Sequence, residues 1–425
     1  MPNDPAMPSL MTQKLQALAT WSAIALGFAI PISTAASNTL LGLTLVFFML
    51  SGGYRAKLQA IVSNPLALAT LAFCAAVLLG CAYGLGSMAD KKHYLVKYLS
   101  LLAIPLLVPL FATQRHRVYA LAAFCAAMLL TLLISLLLWL DWLSWLPPEL
   151  IAAIGEARDP EYPITHNAVV FKLSITHGFL MAIAAYLLML AARHAVSVGL
   201  RRVAWLCGAL AALAAANVLF MIIGRTGYVV LAVLGCYFFA SRFGKRGMLL
   251  AIVAMTVVGA AVYQWSGTFH SRADKAIAEA SSWQQGKGDK TSIGLRFDYY
   301  TNALGIIREH PLLGVGTGGF AAAYDERVKD TAMARSNNPH NQYLLITAQL
   351  GVFGLALLLG LYAIYWRQAG RLTPPFQQIA RGVLLAFLVG NLFNSFMLDF
   401  SERMFFAWIS GVLLAELSAR SPKDA

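Results

Sequence analysis

The sequence predicts an all-α polytopic membrane protein with about twelve transmembrane helices. Three observations carry this expectation. The 425-residue chain is 59% hydrophobic and 12% charged, about half the charged fraction usual for a soluble domain, and its mean hydropathy is +0.67. Apolar runs recur at roughly 17–25 residues, the length that crosses a bilayer core. The runs are rich in Leu, Ala, Val and Phe without two-residue alternation, so they read as helices and not as barrel strands.

The first run, 17–36, ends in small residues as a signal peptide does. It reads as a retained helix because many spans follow. The others lie at 38–53, 64–86, 94–113, 118–140, 167–192, 203–223, 226–241, 247–265, 341–366, 378–397 and 403–419. Lys97 and Pro105 interrupt the fourth. Cys74, Cys81, Cys125, Cys207 and Cys236 all fall inside apolar runs, which suggests neither a disulfide framework nor a zinc site.

Orientation follows from the basic residues of short loops. Lys14, Arg55, Lys57, Arg115, Arg117, Arg193, Arg201, Arg202, Arg242, Lys245, Arg246, Arg367, Arg371, Arg381, Arg420 and Lys423 alternate correctly with the spans. They mark the cytoplasmic side and place both termini there. The expected organisation is nine helices in 1–265, with a short outer segment at 141–166. A large outer loop follows at 266–340, with helix-like stretches around 271–284 and 294–310. Three helices and a cytoplasmic tail occupy 341–425. In a Gram-negative host the outer side is the periplasm.

Some basic residues break the positive-inside rule. Lys91, Lys92 and Lys97 precede or enter the fourth span, Arg225 sits in "IIGRTGYVV", Arg296 in "GLRFDYY" and Arg403 in "LDFSERMFF". A cation at bilayer depth costs about 2.5 kcal/mol or more unless it is paired. Lys91 and Lys92 read more readily as solvated charges. Arg403 has Asp399 and Glu402 beside it, and Arg296 has Asp298, so ion pairs compete with function at both. Arg225 has no acid near it in sequence, and function is the better reading there. Together these residues describe an outward-facing basic site at headgroup level, suited to a lipid-linked diphosphate.

At the entry to the tenth span stands Asn338-Pro339-His340-Asn341. Asn338 is a good N-cap and Pro339 a good first helical residue. His340 then falls in the first turn, where the helix dipole disfavours imidazolium. A neutral imidazole can act as general base, and Asn341 can orient the ring or bind a hydroxyl. An incidental His in a capping sequence is the competing reading. Upstream, Gly314, Gly316, Gly318 and Gly319 imitate a phosphate loop. The GK[ST] ending is absent, so a flexible turn that allows close packing is preferred. No clear metal motif is present. Asp159-Pro160-Glu161 is the nearest, and basic residues can do the work of a metal.

"HPLLGVGTGGF", then "NNPHNQYL" and a glycine-bearing apolar helix, resembles the hallmark segment of the O-antigen ligase and polymerase superfamily. The resemblance is most specific over about 305–360. The span number, the large late loop and the isolated Arg225 extend it over most of the chain. Within the superfamily the chain looks most like the O-antigen ligases.

The resemblance implies a GT-C-type membrane glycosyltransferase of the Gram-negative inner membrane, with no cofactor, no metal and no nucleic-acid partner. It would move O-antigen polysaccharide from undecaprenyl diphosphate to a sugar hydroxyl of lipid A–core at the periplasmic face. The family's essential histidine corresponds to His340 and its arginines to Arg225 and Arg296. A phosphate-binding lysine corresponds to Lys91, Lys92 or Lys97. His340 would deprotonate the acceptor hydroxyl, and the arginines would stabilise the leaving diphosphate. One base and direct displacement predict inversion. No carboxylate pair suggests the two-carboxylate hydrolase arrangement. The alternatives are a polymerase or a protein O-oligosaccharyltransferase of the same superfamily, or a glycan flippase. A flippase would show internal repeats and midplane charges, and neither is evident.

Overall fold

Every expected span contains a helix in the computed structural model, which describes residues 9–143, 145–154, 168–284, 291–331 and 333–418. In chain order the helices begin with α1 (Leu10–Ala29), α2 (Thr34–Leu50), α3 (Tyr54–Val62), α4 (Pro65–Tyr83) and α5 (Met88–Leu110). Next come α6 (Gln114–Trp139), α7 (Pro148–Ile154), α8 (Ser174–Ser197), α9 (Arg201–Met221) and α10 (Arg225–Trp265). The segment between α10 and the last three long helices adds α11 (Gly267–Gln284), α12 (Ser292–Glu309) and α13 (Phe320–Val328), and α14 (Gln342–Ala369), α15 (Pro374–Phe393) and α16 (Phe400–Ser418) follow. The fold is 82% helical, with no strand among the described residues. The Asp159–Glu161 stretch, Arg420 and Lys423 lie outside those residues.

Among the described residues, eight helices are long and apolar enough to cross a membrane. A ninth is added if α2 and α3, bent by 119°, form one broken span. The protein is therefore a multi-pass membrane protein. Helix α1 is not among the eight, and the rest of the difference from about twelve has identifiable causes. Helix α2, of 17 residues, counts only together with α3 as one bent span. Helix α10 counts once although its chain doubles back at Gly244 (φ 60°). A Cβ on Gly235 would stand 2.5 Å from the Met255 methyl carbon, whereas twenty residues of straight helix cover about 30 Å. Helix α16 carries Glu402, Arg403 and Glu416, and yet every residue from Ser401 to Glu416 is buried. A helix enclosed on all sides belongs to the core of a bundle. The Trp408 indole N–H donates to the Ala23 carbonyl at 2.8 Å, fastening α16 to α1. At the other end of α16, Arg117 pairs with Glu416 at 3.4 Å.

Helix α5 tightens to 3₁₀ geometry at Ser100–Leu102 and Val108–Leu110. Pro105 and Pro109 lack the amides that an uninterrupted α-helix needs there. Expected span 378–397 ends early, because α15 stops at Phe393 and Asn394 is extended (φ −150°, ψ 162°).

The glycine-rich segment 310–319 is held firmly, contrary to the flexible turn expected. Gly351 (φ 64°, ψ −163°) interrupts α14 and strips the preceding carbonyls of helical partners. The segment supplies replacements: Val315 N–H donates to Ala348 O at 2.9 Å and Gly316 N–H to Gln349 O at 2.7 Å. In return, Val352 N–H donates to Pro311 O at 2.8 Å. Thr317 reaches α4, its amide donating to Gly80 O at 3.0 Å and its hydroxyl to Val77 O at 2.7 Å. A Cβ at position 351 would lie 1.9 Å from Leu312 O, so glycine is required. These amides face protein carbonyls, and the segment serves close packing and not phosphate binding.

Candidate active site

The turn before α14 differs from the expected cap. Asn341, not Asn338, is the N-cap, and its Oδ1 accepts from Tyr343 N and Leu344 N, both at 3.0 Å. Its amide N–H donates to Leu392 O at 2.9 Å. Both ends of Asn341 are thus engaged in fixing backbone. Pro339 is not the first helical residue, and His340 lies outside the helix with φ 53°. That left-handed conformation is uncommon for a side chain of this size. Asn338 stabilises it by closing an Asx turn, with His340 N–H donating to Asn338 Oδ1 at 2.9 Å.

The His340 ring stacks on Tyr299, with centroids 5.9 Å apart and planes at 28°. Neither ring nitrogen has a hydrogen-bond partner among the described residues. Burial, and then the nearby Arg296 guanidinium, hold the imidazole below its ordinary value of 6.5. His340 is therefore neutral at neutral pH, as a base must be. The cause is burial and a cation, not the dipole of a helix that His340 does not join.

Arg225 is the first residue of α10, at the positive end of the helix dipole. A cation there is poorly placed unless an anion joins it. Its Nη1 lies 3.5 Å from Glu279 Oε2, with the arginine side chain 27% exposed and the glutamate 5%. The acid missing from its sequence neighbourhood comes from α11. Glu279 is also engaged by the Ile293 amide at 3.1 Å. The flanking glycines allow close packing: a Cβ on Gly224 would meet Ser174 O at 2.4 Å, and one on Gly227 the Gly178 backbone at 3.0 Å.

Arg296, on α12, is half-buried and has no hydrogen bond or ion pair among the described residues. Asp298 does not pair with it, because residues two apart on a helix face different ways. Asp298 accepts from the Trp283 indole at 2.9 Å instead. Burial lowers the pKa of Arg296 and neighbouring Arg225 lowers it further, while Tyr300 and Glu279 act in the opposite sense. Arg225, Arg296 and His340, far apart in sequence, thus share one neighbourhood. Its charge can stabilise an anion beside a free base.

The other sequence candidates lie elsewhere. Arg403 is 5% exposed. Its guanidinium donates to Ser100 Oγ at 2.5 Å and to Leu398 O at 2.6 Å. No ion pair with Asp399 or Glu402 forms among the described residues. Lys97 lies within electrostatic reach of Arg403 and Asp399. Lys91 packs its backbone against Gly318, and Lys92 is exposed. No described hydrogen bond or ion pair joins these lysines to His340 or Arg225. Helix α5 contributes through Tyr94, whose hydroxyl donates to Asn337 O, and through Tyr98, which accepts from Gln342 Nε2 at 3.1 Å.

An apolar cavity of about 370 Å³ lies between α8, α9 and the two legs of α10. Tyr228, Leu231, Phe238, Met255, Val258 and Phe269 are among its walls. Tyr228 is one helical turn from Arg225, so the cavity begins beside the basic cluster.

Residues 210–359 match the family model described as O-antigen ligase. Over those residues, about a third of the chain, the sequence is similar to O-antigen ligases. The match encloses Arg225, Arg296, the clamped glycine segment and His340. An uncharacterized protein of Haemophilus influenzae is 28% identical over 128 residues, 29% of this chain. The chain spans about a third of that relative's length, 32%.

Several site residues escaped the sequence reading. Tyr299 and Tyr300 lie one turn on from Arg296 on the same helix, and "RFDYY" is the only local sign of them. The Glu279 partnership depends on α11 packing against α10. Asn394 and Ser395 read as the tail of an apolar span.

Proposed function

We propose that this chain transfers an O-antigen polysaccharide from undecaprenyl diphosphate to a sugar hydroxyl of lipid A–core, at the periplasmic face of a Gram-negative inner membrane. The observation that carries this reading is the gathering of two arginines with a neutral His340 whose ring nitrogens have no hydrogen-bond partner among the described residues. The acceptor oxygen attacks the anomeric carbon, and His340 takes its proton. The bond from that carbon to the diphosphate oxygen breaks, and its electron pair leaves on the diphosphate. Arg225 and Arg296 stabilise the developing charge. Displacement on one face inverts the anomeric centre. The diphosphate is already a good leaving group, and the cations supply the neutralisation that a metal would otherwise give.

The apolar cavity beside Arg225 suits the isoprenoid of such a donor. Tyr299 and Tyr300 contact the base turn, the first by stacking on the His340 ring and the second with its hydroxyl 3.4 Å from His340 O and 3.1 Å from Leu392 O. The deciding experiment is reconstitution of the purified chain with polyprenyl-diphosphate glycan and three competing acceptors: lipid A–core, free glycan and a Ser/Thr peptide. Consumption of lipid A–core with inversion is the expected result. Preference for glycan would instead make the chain a polymerase, and preference for peptide a protein O-oligosaccharyltransferase. No transfer to any acceptor would overturn the enzymatic reading.

A further inference from the structure

Asn394 and Ser395 form the first bend after α15, and both side chains are enclosed, at 2% and 0% exposure. In extended chain, successive side chains point to opposite sides. Asn394 Nδ2 donates to Thr226 Oγ1 at 2.9 Å, next to Arg225. Ser395 Oγ donates to Asn338 Oδ1 at 2.7 Å, the same oxygen that holds the His340 amide. The dipeptide thus touches the arginine turn with one residue and the histidine turn with the next.

The bend is itself anchored. Gln342 Oε1 accepts from Met397 N at 3.0 Å. Arg403 holds the Leu398 carbonyl from below, and Leu398 N–H donates to Ser395 O at 2.7 Å. One residue upstream of Phe393, the Leu392 carbonyl receives both Tyr300 and Asn341. Polar groups enclosed at this depth stay only where they are satisfied, and this set is satisfied by the two turns that carry Arg225 and His340.

We propose that Asn394 and Ser395 are positioning residues that hold the diphosphate-binding arginine turn and the base turn in register. The proposal rests on the transfer reaction above and adds a fixed geometry to it. Ser395 keeps the Asn338 carboxamide oriented, and that carboxamide keeps His340 in its left-handed conformation beside Arg296. Without the hydroxyl, the turn relaxes and the ring moves away from Arg296 toward water. Asn394 acts on the other side, through Thr226 at the start of α10.

The test compares wild type with Ser395→Ala, Ser395→Cys and Asn394→Ala. It reads kcat, donor KM and Tm in detergent, together with NMR titration of labelled histidine, with His340→Gln assigning the signal. Ser395→Ala should lower kcat roughly tenfold or more, as misplacement of a reacting group does, with donor KM little changed. The His340 titration should rise back toward the ordinary imidazole value. Ser395→Cys keeps the volume with a weaker donor and should fall between. Asn394→Ala should raise donor KM, because the loosened turn carries Arg225. Unchanged kcat per folded molecule with an unchanged His340 titration would overturn the proposal, even if Tm falls. If wild type shows no transfer, the reaction reading fails, and the titration alone still decides the clamp.

Discussion

Arg225 and Arg403 both place a cation at the end of an apolar helix, and the fold treats them in opposite ways. Arg403 is enclosed in α16, and its guanidinium is taken up by Ser100 and by the carbonyls of Met397 and Leu398. Arg225 stands at a helix start with a partly exposed side chain and one carboxylate at 3.5 Å. Nearby Arg296 has no partner among the described residues. A cation out of place signals a cost, and the surroundings reveal whether protein or ligand meets it. Arg403 is met by protein. Arg296 leaves positive charge beside His340, with Arg225 near it, where an anion can meet it.

The largest expected effect tests what that free charge serves. His340→Ala should reduce transfer by about 10²–10⁴, the usual loss of a general base. Its Tm should stay near wild type, since the ring makes no described hydrogen bond. Turnover close to wild type in a folded variant would remove His340 from the mechanism.

Next, Arg225→Lys keeps the charge and loses the planar two-point contact. Donor turnover should fall by about 10², in the range of losing one transition-state donor. Glu279→Gln, which releases Arg225, should keep much of the activity. If Arg225→Lys is active while Arg225→Ala unfolds, the ion pair with Glu279 is structural, and the contrast with Arg403 disappears.

Arg403→Met should act on stability. It leaves buried carbonyls without donors, at a cost of about 1–3 kcal/mol, and should lower Tm. Donor KM should change little. A selective rise in donor KM at unchanged Tm would place Arg403 with the ligand-facing cations.

The pH profile offers a finer test. A base acts when deprotonated, and the pKa of His340 is depressed, so transfer should persist below pH 6.5 and fall only as pH drops through the lowered value. Arg296→Gln removes one cause of the depression, and its acid limb should move to higher pH. A limb that does not move would show that Arg296 acts on something other than the base.

Much of the fold was legible because membrane crossing needs little beyond length and apolar composition. Every expected span holds a helix, and the interruptions at Pro105 and Gly351 have local causes. The count was less legible. Pattern alone does not reveal that α16 is enclosed despite three charges, or that α2 and α3 bend at a tight turn. In the site, "NNPH" and "GRTG" were visible as ionisable groups at a boundary. The cap was misplaced by three residues, because Asn338 and Asn341 have equal capping propensity. Only packing against Ser395 and Leu392 chose between them.

The sequence by itself determined an all-α membrane protein, the boundary positions of His340, Arg225 and Arg296, and the likeness of 305–360 to a polysaccharide-transfer family. Those features follow from composition and local pattern, which act within a few residues. The tertiary structure decided which cations are enclosed and which remain free. It gave Arg225 a carboxylate from another helix, turned a phosphate-like glycine run into a backbone clamp for a broken helix, and set Asn394 and Ser395 between the turns that carry Arg225 and His340. Ion pairs and hydrogen bonds act over a few ångströms in space, and helices distant in the chain bring their partners within that reach.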